Sequence, residues 1–158
     1  APVGLRAGGL QRWRRYAREE ILQLFGLQFS TGSWNVGFLR QGKDVFLLVT
    51  LDKSGQAVDF KYRDHFLSPT VFQWESQNQT QQDSGTGRLL RDHAALGTKV
   101  HLFVRKAKKR ARGASAPFAY CGEVAFVDWE GDAPITVRWA LPEAVPLVLR
   151  EELQVPEG

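Results

Sequence analysis

Residues 45–51 have the sequence VFLLVTL, which is apolar at every position except Thr50. A continuous apolar run of this length predicts a β-strand that is buried on both faces. Shorter runs of alternating, β-branched and aromatic residues predict further strands, and turn signals rich in Gly, Asp and Ser separate them. These further strands are predicted at 57–66, 70–74, 99–104, 118–127 and 135–141.

Two segments have a helical pattern instead. Residues 16–25 carry an apolar stripe, with two acidic residues early and Gly26 placed to end the helix. A second, shorter helix is predicted at 87–96, just before Gly97. About six strands, one N-terminal helix and a minor helix predict a mostly-β (α+β) fold, built as a strongly bent sheet or a barrel.

The chain of 158 residues has the size of one domain, and we predict a single domain over 1–158. No apolar run approaches the roughly 20 residues of a membrane-spanning helix, and arginines interrupt the N-terminal apolar stretch, unlike in a secretory signal. A single cysteine, Cys121, cannot form an internal disulfide, which favours a reducing compartment, the cytoplasm. Because the chain contains no methionine, we predict that it is a piece of a longer protein.

The charges are unevenly distributed along the chain. Residues 1–18 hold five arginines and no acid, and residues 105–112 (RKAKKRAR) hold six cations and no acid. From Glu123 to the end there are eight acids and two arginines. This uneven charge distribution predicts one face that binds a polyanion and another that does not. The alternative is a solvated basic loop beside an acidic tail.

The sequence contains no recognisable catalytic constellation. His65, His93 and His101 are scattered, and Cys121 lies in an apolar strand, where a buried and unreactive thiol is expected. No glycine-rich phosphate loop with its Lys-Ser/Thr continuation is present. We therefore predict no enzymatic activity for this chain alone, no metal and no cofactor.

The stretch 62–77, YRDHFLSPTVFQWESQ, combines a carboxylate with aromatic residues. Strand alternation puts Asp64 on one face with Tyr62 and Phe66, and the two aromatic residues of the next strand also share a face. A carboxylate on an apolar face costs several kcal/mol unless it is hydrogen-bonded. Two alternatives follow: a pocket for a planar heterocycle, or a carboxylate that caps a turn or pairs with a neighbour while the aromatic residues fill the core.

The same stretch resembles the Tyr-x-Asp … Ser-Pro-Thr-x-Phe-x-Trp-x-Ser-Gln core of a bacterial domain. That domain lies at the C-terminus of restriction proteins with a phospholipase-D-type nuclease and a superfamily-2 helicase. Residues 15–22 (RYAREEIL) resemble its opening helix, and 49–54 (VTLDKS) resemble the end of one of its strands. The segments 102–105 and 117–139 fit as well, so the resemblance extends over about residues 12–146.

The resemblance implies a fold similar to the SET-and-RING-associated (SRA) domains, in the PUA-like group of bent sheets and barrels. Those domains flip 5-methylcytosine or 5-hydroxymethylcytosine out of the duplex and hold it in a pocket. The implied role is the specificity module of a modification-dependent (type IV) restriction system. The implied partners are double-stranded DNA with modified cytosine, and nuclease and helicase domains of the same polypeptide.

The resemblance also suggests roles for individual residues. Asp64 would accept a hydrogen bond from the N4 amino group of the flipped cytosine. The stacking faces would come from Tyr62, Phe66, Phe72 or Trp74. Ser68, Pro69 or Val71 would form a recess for the 5-methyl group, and Trp34 or Gln77 would fill the gap in the duplex. The predicted phosphate-binding residues are Lys53, Arg88, Arg105, Lys106, Lys108, Lys109 and Arg110.

Two other functions remain open from the sequence. The domain could recognise an unmodified DNA sequence through groove contacts, which would make its affinity independent of methylation. It could also be an interaction domain that regulates an attached helicase or nuclease and binds DNA weakly. Which modification is preferred also stays open.

Overall fold

The structure is a computed structural model that describes residues 11–24, 38–51, 64–76, 80–106, 116–132 and 134–156. These residues are mostly β, as predicted, with a few short helices. The strands are β1 (Arg15–Tyr16), β2 (Phe38–Gln41), β3 (Asp44–Thr50), β4 (His65–Ser68), β5 (Val71–Glu75), β6 (Lys99–Arg105), β7 (Phe118–Glu130) and β8 (Thr136–Ala140). The helices are α1 (Arg18–Leu24), α2 (Gly85–Asp92) and α3 (Leu147–Arg150).

The described strands form one mixed sheet in the order β2-β3-β6-β7-β8-β5-β4, with β1 added on β7. Among the described strands, only β3 and β6 pair in parallel, and the other neighbours are antiparallel. Strand β7 is 13 residues long. Its first half pairs with β6 and its second half with β8, so the sheet changes direction along this strand. A bulge opposite Leu102–Phe103 and the positive φ of 103° at Gly122 lie at this change of direction.

The two ends of the sheet approach each other across the interior. The ring of Phe38 in β2 stacks on the ring of Trp74 in β5, with the ring centroids 6.2 Å apart and the planes 29° apart. Within the described residues, β2 forms no ladder with β4, so the sheet is bent but open. We call the place where β2 faces the β4–β5 hairpin, at Phe38 and Trp74, the seam.

Strand β3 confirms the prediction of a strand buried on both faces. Val45, Leu47 and Val49 belong to a large core that also takes in β5, β6 and β8, and we call this side of the sheet the inner face. Phe46 and Leu48 point to a smaller core on the opposite side, which Ile21 of α1 covers. The apolar residues from Val45 to Val49 suit this position, because each face of β3 packs against protein.

Several elements differ from the sequence predictions. Helix α1 begins only at Arg18, because Tyr16 pairs with Phe118 in a short strand. Helix α2 begins two residues earlier than expected, where the Ser84 hydroxyl accepts a hydrogen bond from the Gly87 N–H at 3.1 Å. It also ends earlier, at Asp92. The edge strand β2 was not predicted, and most of the predicted strand at 57–66 lies outside the described residues.

Candidate nucleic-acid interface

Asp64 lies at the open end of the β4–β5 hairpin. Because His65 pairs with Gln73, the preceding residue Asp64 comes beside Trp74. Its Oδ1 accepts a hydrogen bond from the Glu75 N–H at 2.7 Å. The carboxylate is partly buried, and this bond fixes it where the hairpin opens. The sequence alternative was a carboxylate that caps a turn or pairs with a neighbour while the aromatic residues fill the core. The bond to the Glu75 N–H runs across the hairpin instead, and it holds Asp64 beside Trp74 at the seam.

Trp74 and Phe38 provide the aromatic surface next to Asp64. Trp74 is 5% exposed, and Phe38 is partly buried against the inner core. Phe38 comes from a strand at the far end of the sheet order, so only the bending of the sheet brings the two rings together. Sequence reasoning missed Phe38, because residues 33–44 have no clear strand pattern.

Phe66 and Phe72 were expected to offer stacking faces for a base. They are 1% and 0% exposed, and their rings meet edge to face with centroids 4.8 Å apart. Both belong to the inner core together with Trp139. Their faces are covered by protein, so we assign them to the support of the hairpin and leave them out of the proposed pocket.

Ser68 and Pro69 lie at the turn of the same hairpin. The Ser68 hydroxyl accepts a hydrogen bond from the Thr70 N–H at 3.2 Å, and the Pro69 carbonyl accepts one from the Val145 N–H at 2.9 Å. Four residues of extended chain put the backbone of Ser68 about 13 Å from that of Asp64. The N4 amino group and the 5-methyl group sit on adjacent atoms of one cytosine ring. Ser68 and Pro69 lie at the opposite end of β4 from Asp64, so we leave them out of the proposed pocket.

Arg105, predicted to bind phosphate, has a structural position. It is 6% exposed, and its guanidinium donates hydrogen bonds to the Thr50 hydroxyl at 2.8 Å and the Ala116 carbonyl at 3.0 Å. It also lies over the Phe118 ring, 4.3 Å from the centroid. This corrects the sequence prediction, because a buried arginine with these partners is not available to a duplex. Lys106 and Arg88 are exposed, as phosphate binding requires.

The remaining predicted site residues lie outside the described part of the chain. They are Trp34, Lys53, Tyr62, Gln77, Lys108, Lys109 and Arg110.

The basic N-terminal segment and the acidic C-terminal segment contact each other. Arg12 forms an ion pair with Glu143 at 3.1 Å, and Arg15 forms a two-pronged ion pair with Glu152 at 2.6 and 2.7 Å. At these residues the prediction of two separate faces, one for a polyanion, was wrong. Charges far apart in sequence neutralise each other here, so the basic surface has to be sought elsewhere.

A buried hydrogen-bonded chain that sequence reasoning missed lies on the opposite side of the sheet from the inner core. His101 Nε2 lies 2.8 Å from the Asp44 carboxylate, and His101 Nδ1 lies 2.9 Å from the Tyr120 hydroxyl. Since a carboxylate only accepts, Nε2 carries the proton and Nδ1 accepts from Tyr120. His101 and Tyr120 are 0% and 3% exposed, which indicates a structural role.

This chain predicts a pH dependence of stability. Burial lowers the pKa of His101 below its usual value, and the hydrogen bond to Asp44 opposes part of that shift. The unfolded chain binds a proton at this residue near pH 6.5, whereas the folded protein binds it only at lower pH. The contribution of His101 to stability is therefore complete above about pH 6.5 and falls as the pH is lowered towards its folded pKa. Urea unfolding at pH 7.5 and 5.5, with His101 followed by NMR, tests this, and a His101 that titrates at or above pH 6.5 contradicts it.

The described residues include no group of three or more His, Cys, Asp or Glu that could hold a metal ion. Cys121 is buried, as predicted, and burial raises the pKa of its thiol, so the reactive thiolate is disfavoured. Among the same described residues, no helix is both long and apolar enough to cross a membrane.

Comparison with known proteins identified a matching family model. No curated protein matches the chain. The family model described as "Domain of unknown function (DUF3427)" matches residues 10–153, which is nearly the whole chain. The chain therefore belongs to the DUF3427 family of domains.

Proposed function

We propose that this domain binds duplex DNA and recognises 5-methylcytosine or 5-hydroxymethylcytosine by base flipping, as the specificity module of a modification-dependent restriction protein with an SRA-like fold. The observation that carries the proposal is the position of Asp64. A carboxylate fixed by the Glu75 N–H stands beside Trp74, whose ring stacks on Phe38, at the place where the described strands leave the bent sheet open.

The chemistry of this site suits a flipped cytosine. The N4 amino group is a donor, and a carboxylate is a good acceptor for it, whereas thymine presents the O4 acceptor at the same position. Phe38, which is partly buried, supplies the stacking face when the base enters between β2 and the hairpin and displaces the Phe38 ring from Trp74, which is itself 5% exposed. Base–aromatic stacking is worth about 1–3 kcal/mol per base, which is comparable with the few kcal/mol that flipping costs.

The phosphate-binding surface is expected next to the ends of β3 and β6. These strands are parallel, so both end on the same side, and the Leu51 N–H donates to the Arg105 carbonyl at 3.0 Å. In the sequence, Lys53 follows β3, and the basic run from Lys106 to Arg112 follows β6. Phosphate contacts of this kind position a duplex without recognising its sequence.

In the parent protein this domain would direct nuclease and helicase domains of the same polypeptide to modified DNA in the cytoplasm. It would need no cofactor and would not cut DNA itself. The proposed division of roles is that base recognition lies at the seam, while cleavage belongs to an attached domain.

The direct test is a gel-shift series on one duplex that carries C, 5-methyl-C, 5-hydroxymethyl-C, N4-methyl-C or N6-methyl-A at one position. We expect at least a tenfold preference for a 5-modified cytosine over cytosine, which corresponds to about 1.4 kcal/mol. Methylation of a distant cytosine in the same duplex serves as the control. Equal affinity for all five duplexes contradicts the proposal and favours an unmodified sequence or a protein as the target.

A further inference from the structure

Most described arginine side chains have a protein partner. Those paired with a carboxylate are Arg12, Arg15, Arg91 and Arg138, and those that donate to a backbone carbonyl are Arg105 and Arg150. Arg40 is different. It is exposed, and the contact of its Nε with the Gly42 carbonyl is long, at 3.4 Å. Within the described part of the chain, most of its five N–H donors are therefore open to a ligand.

The strand register places Arg40 beside the seam. Phe38 pairs with Leu47, and Arg40 pairs with Val45, and both of these partners belong to the inner core. Residues directly opposite each other, and residues two apart on one strand, share a face. Arg40 is thus on the inner face of the edge strand β2, with its backbone about 7 Å from that of Phe38.

The nearest carboxylate along the chain does not neutralise this arginine. Asp44 pairs with Gln41, so by alternation it lies on the other face of the hairpin, where its carboxylate bonds to His101. Arg40 thus places a cation at the exposed edge of a site that contains aromatic rings and a carboxylate. Such a site suits a ligand in which a planar ring is joined to an anionic group. A nucleotide is such a ligand, and the planar fork of arginine matches a phosphate with two parallel hydrogen bonds.

We propose that Arg40 binds a backbone phosphate of the nucleotide whose base enters the seam. This inference rests on the proposed function. It assigns Arg40 a positioning role that is distinct from the basic run after β6, because the phosphate reaches Arg40 only when the base is flipped. Arg40 then contributes to the preference for modified cytosine as well as to affinity, unlike a general phosphate contact.

The test combines two changes, singly and together, in a thermodynamic cycle. One is Arg40→Gln in the protein, and the other is an uncharged methylphosphonate in the DNA, at the phosphate 5′ or 3′ of the modified cytosine. We expect Arg40→Gln to weaken binding of the modified duplex by about tenfold or more and of the unmodified duplex by less than threefold. One methylphosphonate should weaken wild type by a similar factor and leave Arg40→Gln unchanged, since both changes remove the same contact. The slope of log affinity against log salt should fall by about 0.9 on the modified duplex only.

Arg14→Gln is the matched control, because it also removes one exposed arginine charge, on a residue that lies over the Tyr16 ring, outside the seam. Its effect should be small and equal on both duplexes. Arg40→Lys should recover part of the lost affinity, and thermal unfolding of both Arg40 variants should match wild type. The inference is overturned if, at both methylphosphonate positions, the affinity losses from Arg40→Gln and from the methylphosphonate add up. It is also overturned if Arg40→Gln weakens binding of the modified and unmodified duplexes equally. If wild type has no preference for modified cytosine, the proposed function itself fails, and this outcome is visible before any variant is made.

Discussion

Asp64→Asn should abolish the preference for modified cytosine and leave the domain folded. The asparagine keeps a carbonyl oxygen that can accept the Glu75 N–H, so the hydrogen bond that closes the hairpin is preserved. It loses the charge, and it can present an amide donor towards the N4 amino group. A hydrogen bond to a charged group is worth about 1.5–3 kcal/mol, so affinity for the modified duplex should fall roughly ten- to a hundredfold.

Asp64→Ala separates the structural role of this residue from its role in recognition. It removes the acceptor of the Glu75 N–H and should destabilise the domain by about 1–3 kcal/mol, whereas Asp64→Asn should not. Denaturant unfolding and gel shifts on modified and unmodified duplexes measure the two effects. An Asp64→Asn variant that folds and keeps the full preference would mean that Asp64 serves only the hairpin.

Replacing Lys106, Lys108, Lys109 and Arg110 by alanine should weaken the binding of modified and unmodified duplexes by similar, large factors. Each lost phosphate contact flattens the plot of log affinity against log salt by about 0.9, so four contacts would flatten it by about 3.6. The ratio of the two affinities should stay the same, because phosphate contacts carry no direct sequence information. Arg105 is retained in this variant, because its guanidinium holds Thr50 and the Ala116 carbonyl.

The matched control conserves the four charges. Lys106→Arg, Lys108→Arg, Lys109→Arg and Arg110→Lys together should keep the salt dependence of wild type. Salt titrations of all three proteins on both duplexes provide the measurement. If the slope of the alanine variant equals that of wild type, the basic run makes no phosphate contacts, and the duplex is held elsewhere on the domain.

The sequence by itself determined the local features of this protein. The unbroken apolar run at 45–51 predicted β3 because a strand with protein on both faces has no position for a polar residue. Two successive strands were predicted at 57–66 and 70–74, where the structure has the β4–β5 hairpin, and the burial of Cys121 followed from its apolar neighbours.

Only the tertiary structure decided which distant residues meet. Phe38 reaches Trp74 because the sheet bends along β7, and the register of β2 puts Arg40 on the same face. Phe66 looked like a stacking residue, and Arg105 looked like a phosphate-binding residue, yet both are buried. Composition and periodicity show which residues are apolar or charged, but they do not show which other residues contact and bury them. Those partners come from segments far apart in the chain, so the chemistry available at each surface was fixed only when the sheet was assembled.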